Sequence, residues 1–157
     1  MESSSGSRCG EIASDIFIIF VTATQLIFFT RYHRYIAWYT REPDGSVTRL
    51  SVLTDDYFTW LTFPTIASIV VIVASTIMII YHRYWFRQTA WIIFCILGIT
   101  VTVSLVSIFP FDFTVIPNAT AVDVLPKAVR AFFIFMAVFY GVAALVSSVR
   151  TINQLRS

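Results

Sequence analysis

Long uncharged stretches alternate along this chain with short clusters of charge and aromatic rings. Between Asp56 and Arg83, residues 63–81 are almost wholly Ile, Val, Ala, Ser and Thr; residues 90–109 lie between Arg87 and Asp112, and residues 131–149 between Arg130 and Arg150. Each approaches the ~20 apolar residues that cross a ~30 Å hydrocarbon layer as a helix. A further stretch, bracketed by Asp15 and Arg31, is shorter, so its helix must begin near Ile12 and set Asp15 at the headgroup boundary. The spans are helical because lipid offers backbone N–H and C=O groups no other partner. The pattern predicts an all-α membrane protein: one domain, an antiparallel four-helix transmembrane bundle with helices near 12–31, 63–82, 90–109 and 128–149. Outer loops then cover 32–62 and 110–127, and a short inner turn, 83–89, makes the second and third helices antiparallel neighbours.

The first outer loop contains two runs rich in aromatic and β-branched residues, Tyr35 to Thr40 and Ser46 to Val52, around Pro43-Asp44-Gly45. Proline presets φ and glycine accepts positive φ, so this is a hairpin signal. A lone two-stranded hairpin is marginal in water, so it should pack on helix ends, on loop three or on another protein. A helical extension of the first segment through Tyr39 is the competing reading. Asp55 or Asp56 would cap the second helix, with Tyr57 and Trp60 at interface depth. Pro110, Pro117 and Pro126 predict an extended cover rather than helix in loop three. Ser3 to Ser7 reads as a flexible tail. Glu2 and Glu11 against Arg8 are unlike the positive start of a cleavable signal, so the first segment is expected to remain as an anchor.

Composition agrees with the hydropathy pattern: 57% of the 157 residues are hydrophobic and 13% charged, with a mean hydropathy of +0.78. Eleven Lys and Arg against nine Asp and Glu give +2 with no basic run, which removes nucleic acid as a main partner. Lys and Arg are divided five to six between the two sides, too evenly to set orientation. Loop two and the C-terminal tail lack acids, and Asn118-Ala119-Thr120 is a glycosylation acceptor pattern usable only on the lumenal side. Together they place both termini in the cytosol, in a plasma membrane or endomembrane. Asn118 lies so near the third segment that a chance match is the competing reading.

Ionisable residues inside a bilayer are the default functional candidates. Asp15, Thr22 and Gln25 fall on one helical stripe. The alternative is Asp15 in the headgroup zone, favoured there by the helix dipole. Arg130 reads as a snorkelling anchor, with Asp112 a conceivable partner. Ala137 and Gly141, and Ala144 and Ser148, are small residues four apart that let helices approach closely. Tyr32-His33-Arg34-Tyr35 recurs as Tyr81-His82-Arg83-Tyr84, an echo short enough for interfacial anchoring alone to explain. Two cysteines and two histidines supply neither a disulfide framework nor a metal site, and GxSxG, GxxxxGK[ST], HExxH and CxxC are absent. No catalytic residue, metal or cofactor is expected.

Four helices, a larger first outer loop with β character, a very short inner turn and a smaller second outer loop resemble the layout of the claudin class of tetraspan proteins. Loop one has Trp38 and Trp60 but lacks the cysteine pair that accompanies the tryptophan in that class. The expected function is non-enzymatic: lateral helix contacts with other membrane proteins or with a second copy, and recognition by the outer loop, as in adhesion, scaffolding or an auxiliary subunit. A small transporter or channel component with a polar path along the first helix is the alternative. A membrane-embedded enzyme acting on lipid is third.

Overall fold

Helix formation begins earlier and runs longer than the uncharged stretches require. The structure, a computed structural model, describes residues 3–81 and 83–156; His82 of the repeated tetrapeptide falls outside the described residues. The helices are α1 (Ser3–Ile27), α2 (Asp56–Ile80), α3 (Tyr84–Ile108) and α4 (Ala119–Arg156). At 1.5 Å per residue, the 25 residues of α2 or α3 extend about 38 Å, more than the ~30 Å hydrocarbon thickness. Four helices are long and apolar enough to cross a membrane. The chain is an integral, multi-pass membrane protein.

Three expectations are corrected. Residues 3–7 are the first turns of α1 rather than a free tail, so Asp15 lies well inside the helix and gains nothing from its N-terminal dipole. α2 starts at Asp56 and passes through Pro64. α4 starts at Ala119 and passes through Pro126, which leaves loop three much shorter than predicted. Proline lacks a donor and disturbs the turn before it, but α4 is already nucleated one turn upstream. The Asn118 side-chain oxygen accepts the N–H groups of Thr120 (3.0 Å) and Ala121 (3.3 Å). Asp123 and Lys127, 2.6 Å apart, bridge the turn containing the proline, an exposed pair worth a few tenths of a kcal/mol.

Packing follows chain order: α1 on α2, α2 on α3 and α3 on α4, with no comparable contact joining α1 to α4 among the described residues. The buried face of α2 is Tyr57, Trp60, Pro64, Ser68, Ser75 and Met78, and that of α3 includes Cys95, Thr102 and Leu105. Steps of three, four and seven are those of a coiled-coil seam. Small residues occupy the middle of that seam because helices in lipid gain from close approach rather than from escaping water.

The first outer loop contains both readings that the sequence left open. α1 continues through a wide π turn, Phe28–Tyr32, and a tight turn, His33–Tyr35, before the chain turns into β1 (Ala37–Arg41) and β2 (Val47–Ser51). The strands pair antiparallel from Ala37↔Ser51 to Arg41↔Val47. Gly45, at φ 86°, takes the left-handed position of the turn.

Candidate functional site

Side chains with chemistry gather at the two ends of the bundle. At the tight-turn end, Glu11 and Asp15 are one helical turn apart on α1 and both meet Arg87, one turn into α3. Arg87 Nη1 donates to Glu11 Oε2 at 3.0 Å, and Nη2 donates to Asp15 Oδ1 at 2.9 Å and to the Glu11 carbonyl at 3.3 Å. Asp15 is 1% exposed. A guanidinium fork suits this task because its donors are rigidly spaced and its charge is permanent. This ion pair gives the buried carboxylate a charged partner within the bundle.

Thr22 is half-buried on the same side of α1, whereas Gln25 is exposed, so the three predicted polar residues do not form one enclosed stripe. Arg87 was missed as their counterpart. Its signal was present: α1 and α3 run the same way, and Arg87 and Asp15 stand at similar depths from the same end. A cavity of about 370 Å³ adjoins the pair, with Tyr81, Arg83, Tyr84 and Gln88 in its wall.

The hairpin end is built from rings and backbone hydrogen bonds. Tyr57 and Trp60 are 2% and 3% exposed, so they form the core at this end of the bundle. Phe29, Leu61, Val101 and Phe133 pack around them, so all four helical segments contribute. His33 stacks on Tyr57, with centroids 5.5 Å apart, and meets Phe58 edge-on.

The carbonyls left over where α1 ends need partners, and side chains from elsewhere supply them. Tyr57 Oη donates to Phe29 O at 2.8 Å, His33 Nδ1 lies 3.2 Å from Thr30 O, and Arg49 donates to Arg34 O. Loop three closes the other side. Leu53 bridges to Phe111, Asp112 N donates to Val52 O at 2.7 Å, and Thr54 N donates to Pro110 O at 3.1 Å. The hairpin is therefore stapled to both neighbours.

Arg130 lies 4.3 Å over the Phe109 ring, a cation–π contact in place of the anticipated pairing with Asp112. Asp112 instead accepts from the Thr114 hydroxyl (2.6 Å) and N–H (2.9 Å). Those two bonds, the hydroxyl's first, hold its carboxyl below the ordinary value. Asp44 is lowered in the same way by the Ser46 hydroxyl and N–H. Neither group is buried.

Ala137, Gly141, Ala144 and Ser148 are half-buried along α4. The tight approach between α3 and α4, however, lies at Gly98, where an added Cβ would stand 3.1 Å from the Tyr140 ring; at Gly141 it would meet nothing within 4 Å. Asn118 is exposed at the start of α4 and acts as its cap. Cys9 is exposed, Cys95 is buried, and both are free thiols. Comparison with known protein families, with curated proteins and with solved structures finds no match.

Proposed function

We propose that this membrane protein acts by contact rather than catalysis, as an adhesion, scaffold or auxiliary component. The hairpin is its recognition surface, and α4 is a lateral contact helix for other membrane proteins or a second copy. The observation that carries this reading is the stapled hairpin. Bonds to α1 and loop three fix its position, while β2 is exposed along its whole length and Trp38 and Tyr39 of β1 remain exposed. A preorganised surface loses little entropy on binding. The claudin-like layout supports the same reading, with both termini cytosolic and Asn118 on the lumenal side.

Crosslinking with mass spectrometry in native membranes tests it, using Gly141→Leu and a variant in which a Gly-Ser loop replaces residues 37–51. Gly141 is the suitable α4 position because an added Cβ there meets nothing within 4 Å. Loss of partner or self-crosslinks in both variants is expected; unchanged crosslinks in both would defeat the proposal. A glycosidase-sensitive mobility shift abolished by Asn118→Gln is expected from the orientation, and labelling of loop three from the cytosolic side would reverse it.

The pairing of buried Asp15 with Arg87, which itself lines a cavity, favours a second reading, a transport component. Proton- or ion-coupled flux from reconstituted protein, lost in Asp15→Asn, would promote that reading over the first.

A further inference from the structure

A cavity of about 450 Å³ lies between the end of α1 and the inner face of the hairpin, within the size range of small-molecule sites. Arg31, His33, Arg34 and Tyr35 reach it from the helix end, and Tyr39 and Arg49 from the strands. Tyr39 and Arg49 are direct cross-strand partners and so share one hairpin face. No acid lines the cavity. Among the described residues, none of these three arginines forms an ion pair with a carboxylate. Two acids of the neighbouring loops are engaged elsewhere, Asp44 with Ser46 and Asp112 with Thr114, and Glu42, Asp55 and Asp56 do not line the cavity.

Three permanently charged groups around one space repel one another, and an anion between them reverses the sign of that interaction. Guanidinium groups match the oxygens of phosphate in pairs, and tyrosine hydroxyls add neutral donors. The surroundings also indicate a route of access. The Phe28 ring stacks on Tyr32 at 6.5 Å and Tyr32 meets Tyr35 at 5.9 Å. This ladder of exposed rings leads from the apolar flank of α1 to the cavity wall. An acyl chain along that flank would place its headgroup at the arginines.

We propose that this cavity binds a phosphate-bearing anion, supplied by a phospholipid headgroup. This site is independent of the partner-contact reading: unchanged crosslinks in both variants would defeat that reading and leave this site intact.

Native mass spectrometry of the purified full-length protein in non-ionic detergent tests the site. Dioleoyl phosphatidic acid, phosphatidylglycerol and phosphatidylcholine are offered at equal concentrations. The anionic lipids should be retained about tenfold over phosphatidylcholine, the scale of one charged hydrogen bond. Arg31→Gln with Arg34→Gln should abolish that preference, and Arg41→Gln, on the hairpin but outside the cavity, should preserve it.

Arg31→Gln alone guards against misfolding, because the Arg31 side chain makes no hydrogen bond or ion pair among the described residues; a drop of about threefold is expected. Displacement of the lipid by millimolar inorganic phosphate would support the same chemistry with a soluble source, and resistance to it would support the lipid. Equal retention of phosphatidylcholine, wild-type retention by the double variant, or capture of polyglutamate in place of both lipid and phosphate would each overturn the proposal.

Discussion

At the hairpin end, rings from every helical segment close around Tyr57 and Trp60, and backbone hydrogen bonds tie the strands to loop three. At the tight-turn end, one guanidinium joins α1 to α3 through two carboxylates. The two ends hold the bundle by different physics. Aromatic packing is broad and tolerates small displacements, because many weak contacts share the load. An ion pair with one nearly buried member depends on a single geometry, and removing the guanidinium leaves the buried carboxylate poorly solvated. Between the ends, apolar side chains gain little by leaving lipid for one another, so close approach of small residues has to serve instead.

Substitutions can separate these contributions. The largest effect is expected for Trp60→Ala, which removes the centre of the ring cluster and should cost about 4 kcal/mol, read as a lower midpoint in detergent unfolding followed by circular dichroism. An equally large loss at both ends from this one change would show that the ends are not separate units.

Arg87→Met is expected to cost about 3 kcal/mol, and the loss should be confined to the docking of α1. Because the residues are in contact, Asp15→Asn combined with Arg87→Met should cost less than the sum of the single changes. Strict additivity in that double-mutant cycle would remove the ion pair from the account.

Gly98→Ala should be the less favourable of two glycine changes, because the Tyr140 ring must give way by a few tenths of an ångström, whereas Gly141→Ala should be neutral or slightly stabilising. The reverse order would mean that α4 meets α3 through its own small-residue stripe.

The smallest effect is expected from pH. The Asp44 and Asp112 carboxyls are held below their ordinary value, 3.8. Their contribution is therefore complete above about pH 5 and is lost as pH falls through the lower folded value. The protection of the Ser46 and Thr114 amides, relative to intrinsic exchange at the same pH, should fall only below about pH 4, with the ring cluster unchanged. Loss of that protection already at neutral pH would mean that these turns are held by something other than the carboxylates.

Local residues were enough to predict several features. Uncharged stretches located all four helices, and Pro43-Asp44-Gly45 located the hairpin turn. Helix ends were harder, since they depend on caps and neighbours: Asn118 reads equally well as a glycosylation acceptor or as the cap that lets α4 run through Pro126. Tyr57 and Trp60 were placed at the interface because aromatic residues near a span are usually anchors. Their burial depends on Phe29, Val101 and Phe133 arriving from distant positions in the chain.

Sequence alone determined that this chain has four helices long and apolar enough to cross a membrane and one β-turned loop, because span length and turn chemistry are properties of consecutive residues. Tertiary structure alone decided that Asp15 answers to Arg87 and that three arginines share one cavity. Charges 72 residues apart become partners only when helices align in depth and rotation. That alignment comes from packing across the seam, which no local window contains.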